Sequence, residues 1–425
     1  MVVVCLIIIL LCLILYKALL KRKHLHGFSQ CSTFLVYWFL IVLLGSFRFY
    51  RLYDISSLVY TLVTFGCISF FIGYAVLDNL ASRPVKLENQ QTQTRLVPLK
   101  MRWWYYVVLG FAVFVIIKQI VLLLPIIIAS GMFEARGEMQ LDDTLLMGGI
   151  WDILIAYFAK PFVKATMIVL LVNSFVGKFD IKHISIIIVL LLLYFFSEGG
   201  RGVLLEIIFA TIYLFFAFKD KLSKKRIGKI KKSIVFLSLI PIVATLDRGS
   251  DILYSLYTYY CGSLTYLTRV FQNNQDLFND YLYGWTSFQG FIKPFFGILE
   301  QIGFEKPESL IASNGFILSA QATVIDIAPS TPINYFMTCF GYAYKDGGIL
   351  GVIIVMFIYG LMCSFIDHQE KKYYGSVRWE TLKVFFFCCI LFTMSYFPFA
   401  KYLNAMTIIY TYIITSKLFS KKSNI

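Results

Sequence analysis

The chain has 425 residues, of which 59% are hydrophobic, 18% aromatic and only 15% charged, too little polar character for a soluble protein of this length. Recurrent apolar runs of about 17–25 residues mark membrane-spanning helices, so residues 1–425 read as one polytopic all-α membrane domain. The net charge of +15 would suit nucleic acid, but its distribution along the chain excludes that partner.

The first apolar run, 3–20, has no basic region ahead of it and no small-residue cleavage site. Its charges, Lys21, Arg22 and Lys23, come after it, so it reads as a retained first helix and not a cleaved signal. Further spans are expected at 31–47, 55–77, 103–129, 151–176, 183–198, 202–218, 233–246, 348–366, 381–397 and 402–416, giving about eleven crossings. The alternate connections 21–30, 78–102, 177–182, 219–232, 367–380 and 417–425 hold 24 of the 39 Lys and Arg, and the opposite segments hold ten. Positive charge stays on the cytoplasmic side, which orients the N-terminus out and the C-terminus in. The basic excess is thus a topology signal. Connection 219–232 alone carries eight positive charges against Asp220 and reads as an anchor with affinity for anionic lipid.

Within the spans lie Lys118, Lys160, Lys164 and Glu206. A charge at the bilayer centre costs about 2.5–3.5 kcal/mol on insertion scales, so all four are expected to face the bundle interior. Lys160 and Lys164 share a helical face, with Pro161 loosening the helix between them. Glu206 can pair with one lysine, and the cationic surplus suits an anionic headgroup.

On the outer side, segment 130–150 is acidic and polar (Glu134, Arg136, Glu138, Asp142, Asp143), and segment 247–334 is long and rich in Tyr, Asn and Gly. A loop of that length inside a compact domain points to function. Tyr254, Tyr257, Tyr259, Tyr260 and Tyr266 crowd its start, followed by Tyr281, Tyr283, Trp285 and Phe288. Two readings stand side by side: an interfacial aromatic belt, or a platform on which sugar rings pack their C–H faces. Cys5, Cys12, Cys31, Cys67, Cys363, Cys388 and Cys389 fall in or beside spans, so a disulfide could join only Cys261 and Cys339. No metal-ligand spacing occurs.

All four histidines (His24, His26, His183, His368) fall on the inner side, which leaves the outer face without an imidazole base. No H-E-x-x-H, G-x-S-x-G or Walker-type loop is present. Outer-face chemistry must therefore use Arg, Lys, carboxylates and Tyr. The outer arginines Arg48, Arg51, Arg136, Arg201, Arg248 and Arg269 recur mostly at span ends. Guanidinium offers a fixed fork of donors for phosphate oxygens. Arg201 stands apart because Ser197-Glu198-Gly199-Gly200-Arg201-Gly202 joins two spans that cross within 183–218, a tight and recessed turn. Its glycines permit positive φ and close approach of backbone N–H groups to a ligand. Candidate bases are Glu198, Asp247, Asp251, Asp326 and Asp346; Glu198 reads equally as the partner of Arg201, and Asp346 as the cap of the next helix.

The run Phe196-Ser-Glu-Gly-Gly-Arg-Gly-Val-Leu-Leu resembles the small-residue Arg-Gly turn of the Wzy-type oligosaccharide repeat-unit polymerases, the O-antigen and capsule polymerase family. Asn334-Tyr-Phe-Met-Thr-Cys-Phe-Gly-Tyr-Ala-Tyr-Lys-Asp-Gly-Gly-Ile-Leu-Gly is similar to their late signature, and Arg248-Gly249 and Arg136 fall in matching places. The resemblance implies a GT-C-like membrane architecture with one long outer loop, in the bacterial cytoplasmic membrane. It implies transfer of a growing glycan from undecaprenyl pyrophosphate to the next lipid-linked repeat unit, with no metal or other cofactor. Expected partners are the undecaprenyl-pyrophosphate-linked oligosaccharide, membrane lipid and a chain-length-regulator protein.

On this reading Arg201 and Arg248 grip pyrophosphate, and Glu198 or Asp346 serves as base. Arg136, Arg269, Lys160, Lys164, Arg51, Asn334 and Tyr342 bind substrate. An O-antigen ligase shares the layout, but such ligases use an outer histidine. A lipid-linked oligosaccharide flippase is the alternative from another class, and predicts twelve or more evenly spaced spans with short loops.

Overall fold

In hydrocarbon each backbone N–H and C=O must find its partner within its own segment, which leaves an isolated apolar run no option but helix. The computed structural model follows that rule; it describes residues 1–22, 29–81, 98–130, 149–177, 181–198, 202–218, 228, 252–334, 336–373 and 375–422. The first seven helices are α1 (Val2–Arg22), α2 (Gln30–Ser46), α3 (Ser57–Ala81), α4 (Trp103–Ser130), α5 (Ile150–Val176), α6 (Ile181–Glu198) and α7 (Gly202–Phe218). After them come α8 (Ile252–Asn273), α9 (Gln289–Glu300), α10 (Glu308–Ala322), α11 (Thr338–Lys372), α12 (Val377–Leu391) and α13 (Tyr402–Ile414).

Among the described residues, α3, α4, α5 and α11 are long and apolar enough to cross a membrane, and shorter apolar helices accompany them in α1, α2, α7 and α13. Ile7, Leu11 and Ile14 on α1, and Phe114, Val121 and Ile128 on α4, remain exposed, as lipid-facing side chains would. The fold is therefore of the all-α membrane type. The expected count of eleven spans is not confirmed: span 233–246 lies outside the described residues, and two others change shape. The span expected at 348–366 belongs to a helix that starts ten residues earlier, at Thr338, and breaks at Gly347 and Gly348. Gly348 sits at φ 60, a conformation that favours glycine, and a Cβ there would meet the Tyr281 hydroxyl at 2.9 Å. The span expected at 381–397 is helical only to Leu391 and continues in buried turns. Irregular backbone persists there because protein surrounds it.

Helices α3 and α11 form the tightest pair. A Cβ added at Gly73 would come within 2.1 Å of the Phe357 carbonyl oxygen, and one at Gly360 equally close to that of Phe70. Small residues at both crossings let the backbones touch, the usual solution where lipid supplies no hydrophobic drive. Phe34 stacks on Phe70 at 4.0 Å beside them.

At one end of the bundle β1 (Leu99–Met101) pairs antiparallel with β4 (Ser420–Lys422). Asn173, near the end of α5, clamps Leu99 by accepting its N–H at 2.7 Å and donating to its carbonyl at 2.9 Å. These segments were expected to share one side, and they do share one end. The long loop 247–334 is not irregular where described: it folds into α8, α9, α10 and a hairpin of β2 (Val324–Ala328) and β3 (Thr331–Asn334). Cys261 and Cys339 are buried free thiols, and burial pushes Cys261 up to about 12.

Candidate functional site

The site begins with a missing N–H. Pro161 cannot donate to the Tyr157 carbonyl, and the turn before it, Leu154–Ala159, opens into a π-type turn in which the Lys160 N–H reaches back to the Ile155 carbonyl. The freed Tyr157 carbonyl accepts the Tyr410 hydroxyl from α13 at 2.9 Å. Lys160 and Lys164 follow directly, and each finds a different carboxylate.

Lys164 is 1% exposed, and its ammonium lies 2.8 and 2.7 Å from the two oxygens of Glu206 on α7 and 2.8 Å from Asn404 Oδ1 on α13. The Phe385 ring covers it at 5.5 Å, and Asn404 Nδ2 donates onward to the Pro398 carbonyl at 2.9 Å. Lys164 therefore knots α5, α7 and α13 together. Lys160 instead pairs with Glu198 at the end of α6, at 2.7 Å, and the two side chains keep 13% and 38% of their surface open. Lys118 lies 3.4 Å above the Trp151 ring. The expected interior, three cations against one anion, is corrected accordingly: Glu198 joins the count, and the third cation rests on an indole.

The long loop covers this region with α9. A Cβ at Gly290 would come within 2.5 Å of the Phe399 and Lys401 carbonyl oxygens, so α9 lies with its backbone against the 398–401 turn. Gly297 meets the Tyr157 ring, and Phe291 packs on Phe399 at 5.4 Å. Lys293 lies 5.6 Å from the Tyr402 ring and Lys401 lies 4.1 Å from Tyr396, while Tyr157 meets Tyr402 edge-on at 5.2 Å. Tyr194 on α6 stands within electrostatic reach of Glu198, Glu206, Tyr396 and Tyr402. Its buried hydroxyl has no hydrogen-bond partner among the described residues. Lys160, Lys164 and Tyr157 on α5, Tyr194 on α6, Lys293 on α9, and Tyr396, Lys401 and Tyr402 leading into α13 thus supply the cations and rings of the candidate site. Ammonium groups and aromatic rings are the groups that bind anions and apolar or sugar-like surfaces.

The other expected residues lie elsewhere. Both oxygens of Asp346 are occupied, accepting the Thr286 and Ser287 N–H groups at 2.9 and 2.8 Å, and the Lys345 and Asp346 carbonyls accept from Leu282 and Tyr283. Asp346 therefore fastens loop 282–288 to the α11 break and does not cap the following helix. Tyr342 is 1% exposed and meets Phe316 edge-on; Asn334 is exposed at the end of β3 and donates to the Gln321 carbonyl at 3.3 Å. Arg269 holds its guanidinium 5.0 Å from the Tyr53 ring, with Nε buried and unpartnered among the described residues.

Arg51 is exposed in the α2–α3 connection. There Arg48, Tyr50 and Arg51 all have positive φ (49, 58 and 63), a conformation that costs a non-glycine residue about 1–3 kcal/mol. Arg136, Arg201 and Arg248 lie outside the described residues, as do most of segment 130–150, the basic connection 219–232 except Gly228, Asp247 and Asp251.

Lys293, Lys401, Tyr194, Tyr396 and Tyr402 were not singled out from sequence. The signal for Lys293 was present: Gly290, Pro294 and Gly297 recur at helical spacing and form the buried face of α9. A second buried ionic cluster was missed at the other end of the bundle. Asp367, 1% exposed, accepts the Gln30 N–H at 2.9 Å and the Tyr74 hydroxyl at 2.7 Å; Lys383 lies 3.8 Å from it and 2.8 Å from Glu370. Among the described residues no three His, Cys, Asp or Glu side chains gather in a way that could hold a metal ion. No known protein family, curated protein or solved structure matches the chain, so its function has to be argued from these residues.

Proposed function

We propose that the chain polymerises lipid-linked oligosaccharide repeat units at the outer face of the bacterial cytoplasmic membrane. It transfers the growing glycan from undecaprenyl pyrophosphate to the next lipid-linked unit. The observation that carries this reading is the Lys160–Glu198 pair, which keeps part of its surface open and stands one turn from Tyr157, the residue on which the amphipathic helix α9 rests. An enzyme with a pyrophosphate leaving group needs cations at the leaving oxygen and a carboxylate at the acceptor, within reach of lipid.

In the proposed step the acceptor hydroxyl oxygen bonds to the anomeric carbon of the donor sugar, and the bond from that carbon to the pyrophosphate oxygen breaks. The hydroxyl proton passes to Glu198, and the pyrophosphate leaves on its polyprenyl carrier. Pyrophosphate competes with Glu198 for Lys160 and so loosens that pair, and the Glu198 carboxylate acts as base. Fixed cations stabilise the charge that develops on the leaving group, where a single donor is worth about 10²–10³ in rate. Arg201 and Arg248 are proposed to complete the clamp. Lys164, its ammonium held by Glu206 and Asn404, supports the frame.

The test is the surface glycan of a deletion strain. A polymerase defect leaves the surface capped with a single repeat unit; a flippase defect leaves none, and a ligase defect leaves polymer on the carrier. Absence of the single-repeat product would overturn the proposal.

A further inference from the structure

The α2–α3 connection combines strain, rigidity and exposed rings in a way that the Lys160 region does not require. Arg48, Tyr50 and Arg51 all adopt left-handed backbone, which glycine would accept without strain. The segment is nevertheless firmly held. The Tyr257 hydroxyl donates to the Leu44 carbonyl at 2.9 Å and accepts the Phe49 N–H at 3.0 Å. The Tyr53 N–H bonds the Ile327 carbonyl at 2.9 Å, and the Ser56 N–H bonds Thr268 Oγ1 at 3.1 Å.

What this rigid segment presents is a continuous aromatic surface. Phe47 stacks on Phe49 at 5.5 Å, Phe49 meets Tyr257 at 5.5 Å, and Tyr50 lies 5.6 Å from Tyr257 and 5.1 Å from Tyr254. Phe47, Phe49 and Tyr50 are exposed. Two planar polar groups flank the rings: Arg48, ion-paired with Asp54, and Arg51, which is exposed and has no ion-pair partner among the described residues.

The tyrosine hydroxyls decide between the two readings of such a surface. A tyrosine of an interfacial belt sinks its ring into hydrocarbon and lifts its hydroxyl to water. Here two of the hydroxyls are committed to protein partners, Tyr254 to Thr331 Oγ1 at 2.6 Å and Tyr257 to the Leu44 carbonyl and the Phe49 N–H. The rings, not the hydroxyls, are what Tyr254 and Tyr257 offer. A lipid surface also needs no strained backbone, because mobile rings partition into it equally well. A pyranose ring needs both features: a flat π surface for its polarised C–H face, and planar guanidinium or carboxylate groups for pairs of vicinal hydroxyls.

We propose that residues 47–54, with Tyr254 and Tyr257, form a glycan-binding platform that recognises the sugar part of a ligand independently of any pyrophosphate. The proposal rests on the polymerase reading for which glycan is bound, but not for the binding itself. The experiment uses the full chain in lipid nanodiscs, titrated with carrier-free oligosaccharides: fragments of the producing strain's own surface polysaccharide together with a panel of neutral and acidic standards.

Wild type is expected to bind at least one of these. Tyr50→Phe should bind equally well, because only the ring acts, whereas Tyr50→Ala and Arg51→Ala should each weaken binding about tenfold with unchanged thermal stability. No binding by wild type, equal binding by the alanine variants, or equal losses for Tyr50→Phe and Tyr50→Ala would each overturn the platform. Phosphatidylglycerol vesicles displacing the oligosaccharide in a Tyr50-dependent way would identify a lipid surface instead and overturn it too. None of these outcomes depends on polymerisation, so the platform and the polymerase reading fail separately.

Discussion

Lys160 and Lys164 stand one turn apart on α5 and carry the same ammonium group, yet their surroundings differ. Lys164 is 1% exposed and bound to both oxygens of Glu206 and to Asn404. Lys160 has Glu198 as its ion-pair partner, and that carboxylate is 38% exposed. Residue type and spacing locate a charge in a membrane protein. The number of protein acceptors around it separates a charge that holds the frame from one with capacity left for a ligand.

The comparison breaks most readily at the buried pair. Lys164→Ala or Glu206→Ala leaves an uncompensated charge inside the bundle and should cost about 3–5 kcal/mol, read as a large drop in thermal unfolding temperature in detergent. The double variant Lys164→Met with Glu206→Leu should recover most of that loss, because an apolar pair of similar volume replaces an ion pair with little penalty. A single variant that unfolds at the wild-type temperature would remove the distinction between the two lysines.

The next effect in size concerns Asp346, which sequence reading left open between base and cap. Asp346→Asn removes an acceptor from the Thr286 and Ser287 N–H groups and should cost about 1–3 kcal/mol, with faster amide exchange confined to loop 282–288. Tyr50→Gly should act in the opposite direction, stabilising the chain by about 1 kcal/mol by relieving a left-handed residue while glycan binding falls. Smallest of all is the effect of Lys160→Met on stability, below about 1 kcal/mol, because its partly exposed pair contributes little.

Much of the helical frame was legible in the sequence, for a specific reason. Apolar runs such as 103–129 and 151–176 return as α4 and α5 almost residue for residue, because nothing but helix satisfies the backbone of such a run. The misreadings fall where glycine and turn residues interrupt the hydrocarbon. The break at Gly347–Gly348 and the buried turns after Leu391 are settled by tertiary contacts that no local window contains.

The candidate site was legible in part. Lys160, Lys164 and Glu206 were visible as costly charges and Glu198 as a candidate base, but which lysine meets which carboxylate is set by helix packing. Lys401 was missed because it follows an apolar run at which the next helix simply starts. Asp367 and Glu370 were missed because they fell in a stretch read as a connection, whereas α11 carries them into a buried pairing with Lys383.

The central claim is that the open pair performs chemistry while the buried pair performs support. Purified protein in nanodiscs, supplied with lipid-linked repeat units, gives the most direct measurement: the length distribution of the glycan products. Lys160→Met and Glu198→Gln should each fold as stably as wild type and yield no product beyond the single repeat unit, or at least a hundredfold less. A full polymer ladder from either variant would contradict the account.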